Sequence, residues 1–388
     1  MTACIVGWAH SPFGKLEDPD IESLLGRVAR AAIEDAGIAP SEVDAGFVGV
    51  FNAGFSKQDF FASLVLQSLP ELRFKPITRY ENACATGSAA IHGALDFLAA
   101  KRGRFALVVG AEKMTAATNA EVGDNLLAAS YRRQEGEIPA GFAGVFGRIA
   151  EAYFQRHGDQ SDALAAIAAK NHRNGVANPY AQMRRDLGFA FCRAESEKNP
   201  FVARPLKRTD CSLVSDGAAA LVLTDEETAR SMAKAVRFRA AAQATDFMPI
   251  SGRDIIRFEG ARAAWGRALE AAGLTLADLS FAEVHDCFTI AELIEYEAMG
   301  LAPEGQGARA ALEGWTAKDG RLPVNPSGGL KSKGHPIGAT GVSMHAMAAM
   351  QLTGSAGEMQ LPRADVAGVF NMGGAAVANY CSILERLE

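Results

Sequence analysis

The chain repeats itself, and the repeat restricts its architecture more than any other feature. The segment AAIEDAGIAPSEVDAGFVGVF (31–51) aligns with ALEAAGLTLADLSFAEVHDCF (268–288) when Gly37 is set on Gly273. Both read as a helix, a glycine stop, a short loop and a buried strand. Leu24, Leu25, Val28, Ala29, Ala32 and Ile33 make one apolar stripe, and Ala261, Ala264, Trp265, Ala268, Leu269 and Ala272 make its counterpart. Ala85-Thr86-Gly87 matches Ala339-Thr340-Gly341, each opening a small-residue helix that leads to a strand, at Phe105–Val109 and Val366–Phe370. Asp216-Gly217-Ala218-Ala219-Ala220 matches Gly373-Gly374-Ala375-Ala376-Val377, each before a last strand, at Leu221–Thr224 and Tyr380–Leu384.

The spacing of these landmarks is unequal. They lie at 86 and 217 in the first half but at 340 and 374 in the second. The first half therefore carries a large insertion, placed at about 115–206, with helices expected from Phe142 to Arg156 and from Asp162 to Asn171. The expected domains are 1–228, with that insertion, and 229–388. Alternating helices and strands in each half predict a mixed α/β sheet with helices on both faces. Two such halves pack about a pseudo-twofold axis, and ligands sit beyond the strand ends.

Composition excludes several classes. With 388 residues, 48% of them hydrophobic, the chain has ample material for a large core. A net charge of -6 from interspersed charges offers no nucleic-acid groove and no polybasic membrane patch. The N-terminal residues do not read as a signal peptide, and no apolar run is long enough for a membrane span. Six scattered cysteines with no C-x-x-C pair argue against zinc and against a disulfide framework, so a reduced, cytoplasmic setting is expected.

Four segments carry candidate chemistry. In Glu81-Asn82-Ala83-Cys84-Ala85-Thr86-Gly87-Ser88, the cysteine stands at a helix start. There the macrodipole and free N–H groups favour a thiolate and are able to hold an oxyanion. A small buried cysteine packed on alanines is the bland alternative. In Val284-His285-Asp286-Cys287-Phe288, a histidine and a cysteine two apart reach one cavity from a turn; alternatively Asp286 caps the following helix (Ile290 to Met299) beside a buried cysteine. Glycines and prolines surround His335 in Lys333-Gly334-His335-Pro336-Ile337-Gly338, downstream of Asn325-Pro326-Ser327-Gly328-Gly329, and suggest close approach of backbone to ligand or another loop. Phe370-Asn371-Met372-Gly373-Gly374 presents bare N–H groups after a strand or is simply a tight turn. Together they supply the cysteine and histidine that covalent acyl chemistry needs, with a second cysteine for proton transfer. His10, His92, His157, His172 and His345 read as structural or surface residues; Phe142, Phe146, Phe189 and Phe191 read as core before pocket.

Over nearly its whole length the chain resembles the thiolase superfamily. Asn82-Ala83-Cys84 to Gly87 resembles the family's nucleophile motif, Gly334-His335-Pro336 its G-H-P motif, and Asp216 to Ala220 its D-G-A-A-A segment. Better-known thiolases have N-E-A-F where this chain has His285-Asp286-Cys287-Phe288, and a C-x-G cysteine where it has Asn371-Met372-Gly373. Both departures resemble the sterol-carrier-protein-type thiolases. The resemblance implies two similar lobes in a five-layered α-β-α-β-α arrangement with a loop domain. It implies that His335 activates Cys84, that Cys84 takes the acyl group, and that the N–H groups of Cys84 and Gly373 hold its oxyanion. Cys287 then moves the α-proton while His285 and His335 hold the enolate oxygen. It further implies coenzyme A as co-substrate with no permanently bound cofactor or metal, a homodimer or tetramer, and a small zinc-binding OB-fold companion subunit. An aldolase or retro-aldolase acting on a steroid-like or aromatic CoA ester, a ketosynthase, and an inactive scaffold subunit are the competing readings; two intact cysteines weigh against the first and last, and H-D-C-F against the ketosynthase.

Overall fold

The computed structural model describes residues 3–52 and 54–387. Eleven strands form: β1 (Ala3–His10), β2 (Ala45–Gly49), β3 (Ile77–Tyr80), β4 (Phe105–Glu112), β5 (Phe201–Ala203), β6 (Leu206–Lys207), β7 (Gly217–Asp225), β8 (Val236–Thr245), β9 (Phe281–Glu283), β10 (Val366–Gly373) and β11 (Ala378–Arg386). Nine lie in the order β3-β2-β4-β7-β1-β8-β11-β10-β9, and β5 and β6 form a separate hairpin.

The order hides a repeat. In the first half β2 runs parallel to β3 and β4, β4 is antiparallel to β7, and β7 to β1. In the second half β9 is parallel to β10, β10 antiparallel to β11, and β11 to β8. Val324 makes a parallel bridge to Ala282 of β9, the place β3 takes beside β2. Among the described residues the two sheets pair through Cys4–Arg237 and Ile5–Val236, a short seam between β1 and β8.

The expected helices form, each slightly longer or shifted by a residue. Ile21–Ala36 packs outside β1, β4 and β7, and Glu259–Ala272 packs on β8 and β11. Both end on a left-handed glycine, Gly37 at φ 71° and Gly273 at φ 65°, where L side chains are strained. Thr86–Ala99 and Ile337–Leu352 pack on each other between the sheets. Every residue of Ile337–Leu352 is buried, so that helix has no face toward solvent, and its few polar side chains find partners inside the fold. The result is helix, sheet, paired helices, sheet, helix: five layers.

The central pair crosses closely because small residues recur at matching places. A Cβ on Gly87 would lie 2.7 Å from Val342 N, and one on Gly341 would lie 2.4 Å from Ser88 N. Gly87 and Gly341 are therefore used to bring these two helices together inside the chain. Between β4 and β7 the chain forms helices including Gly141–His157 and Ser161–Gly175, with the β5–β6 hairpin. Among the described residues no helix is long and apolar enough to cross a membrane.

Asp216, first residue of the D-G-A-A-A segment, is a structural clamp. It accepts from Lys113 Nζ (2.7 Å), Thr115 N (2.8 Å), Thr115 Oγ1 (2.6 Å) and Leu16 N (3.1 Å). Burial alone would raise its carboxyl pKa, but Lys113 and the Thr115 and Leu16 donors hold it below the usual value. A depressed folded-state pKa means that Asp216 supports the fold above the ordinary carboxylate range and loses that support as pH falls through the depressed value. Asp216→Ala should cost about 3–5 kcal/mol, because Lys113 is left buried without its counter-charge. Urea unfolding at neutral pH measures this; a loss under about 1 kcal/mol would mean that Lys113 finds water instead.

Candidate active site

The candidate residues come from three turns and a strand end, and the fold brings them together. Cys84 follows β3 at a sharp elbow into the helix Thr86–Ala99. Ala83 takes the left-handed conformation there (φ 49°), a costly state for a residue with a Cβ. The elbow is held by Ala85 N to Asn82 O (3.1 Å), Thr86 N to Ala83 O (3.0 Å) and Asn82 N to Thr86 Oγ1 (2.9 Å). His285 and Cys287 follow β9, and His335 lies between the short helix Gly329–Lys333 and Ile337–Leu352. Gly373 ends β10, where a Cβ would lie 2.2 Å from Asn82 O, so only glycine fits against the elbow. Cys84, His285 and Gly373 thus sit at the carboxyl ends of parallel strands from both halves.

The Cys84 sulfur and a ring nitrogen each from His285 and His335 all lie within 4.8 Å of one another. The two imidazoles meet edge to face, with centroids 5.1 Å apart. Among the described residues this is the one such cluster of His, Cys, Asp or Glu atoms, and sulfur with two imidazoles is also a donor set a soft metal ion accepts. Cys84, Cys287 and His335 open onto a cavity of about 140 Å³. Its remaining wall is largely apolar: Met114, Leu126, Phe142, Leu213, Val214 and Phe288 contribute.

Burial pushes the Cys84 thiol up to about 12, although the N–H groups of Gly374 and of Cys84 itself pull it down. The sequence expectation that the helix start favours a resting thiolate is therefore corrected. Stripping water from the sulfur outweighs two N–H donors. Cys287 is also raised, by burial and by the neighbouring Cys84. Burial, with Lys333, lowers His335 to about 3, and burial, with His335, lowers His285. Burial thus pushes both thiols and both imidazoles toward their neutral forms.

Ser215 and Glu295, which the sequence reading does not single out, support these groups together with Thr340, Asn371 and Asp286. His335 N donates to Ser215 Oγ (3.0 Å), and His335 Nδ1 meets Thr340 Oγ1 at 2.7 Å. His285 N donates to Glu295 Oε2 (3.1 Å). Asn371 Nδ2 reaches Cys84 O (3.1 Å) and His285 Nδ1 (2.9 Å). Asp286 does not cap the helix Thr289–Ala298; it accepts from Leu330 N (2.6 Å), Lys331 N (3.1 Å) and Asn171 Nδ2 (2.8 Å), tying its loop to the turn before His335. A third cysteine, Cys211, also lines the cavity. Of the four phenylalanines, Phe142 lines it, Phe146 stacks behind Phe288 at 4.4 Å, Phe189 is exposed, and Phe191 packs beside Cys192. His10 bonds Ser11 O and Ser343 Oγ, and His345 bonds Gly341 O and Ser382 Oγ, both structural roles.

A duplicated five-layered α/β fold with a buried cysteine and two histidines at its centre is the frame of a covalent acyl-transfer enzyme. The chain belongs to the thiolase superfamily: the "Thiolase, N-terminal domain" family matches residues 3–227, and the "Thiolase C-terminal domain-like" family matches 242–386. It is 34% identical to the acetyl-CoA acetyltransferase of Methanothermobacter thermautotrophicus over 385 residues, 98% of this chain and 99% of that one. It is also 34% identical to human sterol carrier protein 2 over 399 residues, 96% of this chain and 70% of that one. The solved Ltp2-ChsH2(DUF35) aldolase superposes with a TM-score of 0.85 at 20% identity, covering 99% of this chain and 97% of that one, a likeness of fold. The chain is a thiolase of the sterol-carrier-protein-type branch, and an acyltransferase.

The neutral resting site has a measurable signature. Alkylation of Cys84 by iodoacetamide, without substrate, should be slow at neutral pH and rise about tenfold per pH unit toward pH 9, as for a thiol that ionises far above that range. His335→Ala should slow it throughout. A rate already flat below about pH 7 would reveal a resting thiolate.

Proposed function

We propose that this chain cleaves a 3-ketoacyl-CoA with coenzyme A, or runs the reverse Claisen condensation, through an acyl group on Cys84. The supporting observation is the convergence of Cys84, His285 and His335 within 4.8 Å, with Cys287 on the same cavity. His335 takes the Cys84 proton and the sulfur attacks the 3-keto carbon. The N–H groups of Cys84 and Gly373 hold the oxyanion, with Gly374 N–H beside the same sulfur. The bond between α- and β-carbons breaks, leaving the acyl group on Cys84 and a thioester enolate. His285 and His335 hold the enolate oxygen, and the Cys287 thiol gives the α-carbon its proton. Coenzyme A thiol then gives its proton to the Cys287 thiolate and takes the acyl group, and the departing Cys84 sulfur recovers its proton from His335.

The aldolase reading leaves both cysteines without a task, whereas thiolysis uses each. The same reading assigns residues 1–228 and 229–388 to two thiolase lobes, with about 115–206 as an inserted loop domain. It places the enzyme in the cytoplasm as a homodimer or tetramer. A small zinc-binding OB-fold companion belongs to the same reading, supported by an aldolase of this fold whose name includes a DUF35 partner.

Acetoacetyl-CoA plus free coenzyme A should yield acetyl-CoA, and Cys84→Ala should abolish that. Cys287→Ala should still be labelled on Cys84 by acyl-CoA but turn over at least ~10²-fold slower, the scale of a lost general acid or base. Near-normal turnover in Cys287→Ala would assign the α-proton to another group.

A further inference from the structure

We propose that Asn371 is a positioning residue that fixes the proton of His285 on Nε2, so that His285 enters the reaction as a donor and His335 as an acceptor. The inference rests on the thiolytic reading above and assigns a task to the residue that stands where better-known thiolases carry a cysteine.

The argument starts from an atom that has no choice. The carbonyl oxygen of Cys84 only accepts hydrogen bonds, and the Asn371 side chain meets it at 3.1 Å. That contact requires the amide nitrogen of Asn371 on this side, since two carbonyl oxygens would repel. The opposite amide atom, Oδ1, then accepts from Ser88 Oγ at 2.8 Å, as it should. Both protons of Nδ2 are thereby directed, one to Cys84 O and one to His285 Nδ1 at 2.9 Å. A nitrogen that accepts carries no proton, so in neutral His285 the proton is on Nε2. His285 is fully buried and its Nε2 has no protein partner.

His335 is set the other way by the same reasoning. Thr340 Oγ1 directs its one proton to the carbonyl of Pro336, 3.0 Å away. It therefore accepts from His335 Nδ1, 2.7 Å away, and His335 Nε2 is left as a lone pair. That atom too is buried without a protein partner.

The pair is thus asymmetric before substrate arrives. His335 Nε2 takes the proton of the Cys84 thiol, giving imidazolium and thiolate. The proton it receives makes His335 a second donor. His285 Nε2–H is a donor throughout. Two donors face the thioester oxygen only once Cys84 has lost its proton, which couples enolate stabilisation to formation of the acyl-enzyme.

The test combines spectroscopy with two partial reactions. In wild-type protein with ¹⁵N-labelled histidine, His285 should show a bare Nδ1 and a protonated Nε2, and His335 the reverse. Asn371→Asp replaces the donor by an acceptor and should move the His285 proton to Nδ1. Its rate of α-proton exchange on acetyl-CoA should then fall at least ~10²-fold more than its rate of Cys84 acetylation by acetyl-CoA, the scale of one lost oxyanion donor. A wild-type His285 with its proton on Nδ1 overturns the proposal, whether or not the variant folds. So does an Asn371→Asp enzyme in which the two rates fall together. Absence of any Cys84 acetylation in wild type would instead defeat the thiolytic reading, and the ¹⁵N result would still decide the tautomer.

Discussion

The close crossing of two helices at Gly87 and Gly341 is the contact on which the rest of this enzyme depends. These glycines occupy equivalent places in the two halves, and each faces backbone of the other helix at a distance that excludes a Cβ. The helices they begin carry Cys84 one turn upstream on one side and His335 on the other. Neither half contains both groups. A wider crossing would separate the sulfur from the imidazole by the diameter of a side chain, and proton transfer does not tolerate that. The duplication thus does more than build a large core, because its self-contact brings the Cys84 sulfur and the His335 imidazole together.

Burial then governs the chemistry. Cys84, Cys287, His285 and His335 are almost wholly removed from water, and each is pushed toward its neutral form. A thiolate–imidazolium pair held permanently in such a place would be costly to keep. A neutral pair is cheap at rest, and the dry surroundings strengthen every donor that later meets an oxyanion. In such a site the hydrogen-bond partners of each imidazole, Asn371 for His285 and Thr340 for His335, bear on where its proton sits.

Much of this was legible in sequence because it rests on period and punctuation. The paired glycine stops at Gly37 and Gly273, the matching apolar stripes and the recurring Ala-Thr-Gly gave the two-sheet plan. H-D-C-F and G-H-P pointed to three of the clustered side chains. What sequence could not show depends on distance between remote segments. Asn371 reads as an absent cysteine until it is seen between Cys84 O and His285. Asp286 reads as a cap for its own helix, yet it serves the turn before His335. The thiol shift was misjudged for the same reason: a helix start is visible in sequence, while the depth of burial around Cys84 is a property of the whole fold.

The central claim is that Cys84 carries the acyl group. Rapid acid quench of the enzyme with acetoacetyl-CoA in the absence of free coenzyme A, followed by peptide mass spectrometry, tests it directly. The account predicts one acetyl group per chain on the peptide containing Cys84, removed when coenzyme A is added. Acetyl on Cys287 or Cys211 in its place, or turnover with no acylated peptide at all, would contradict it.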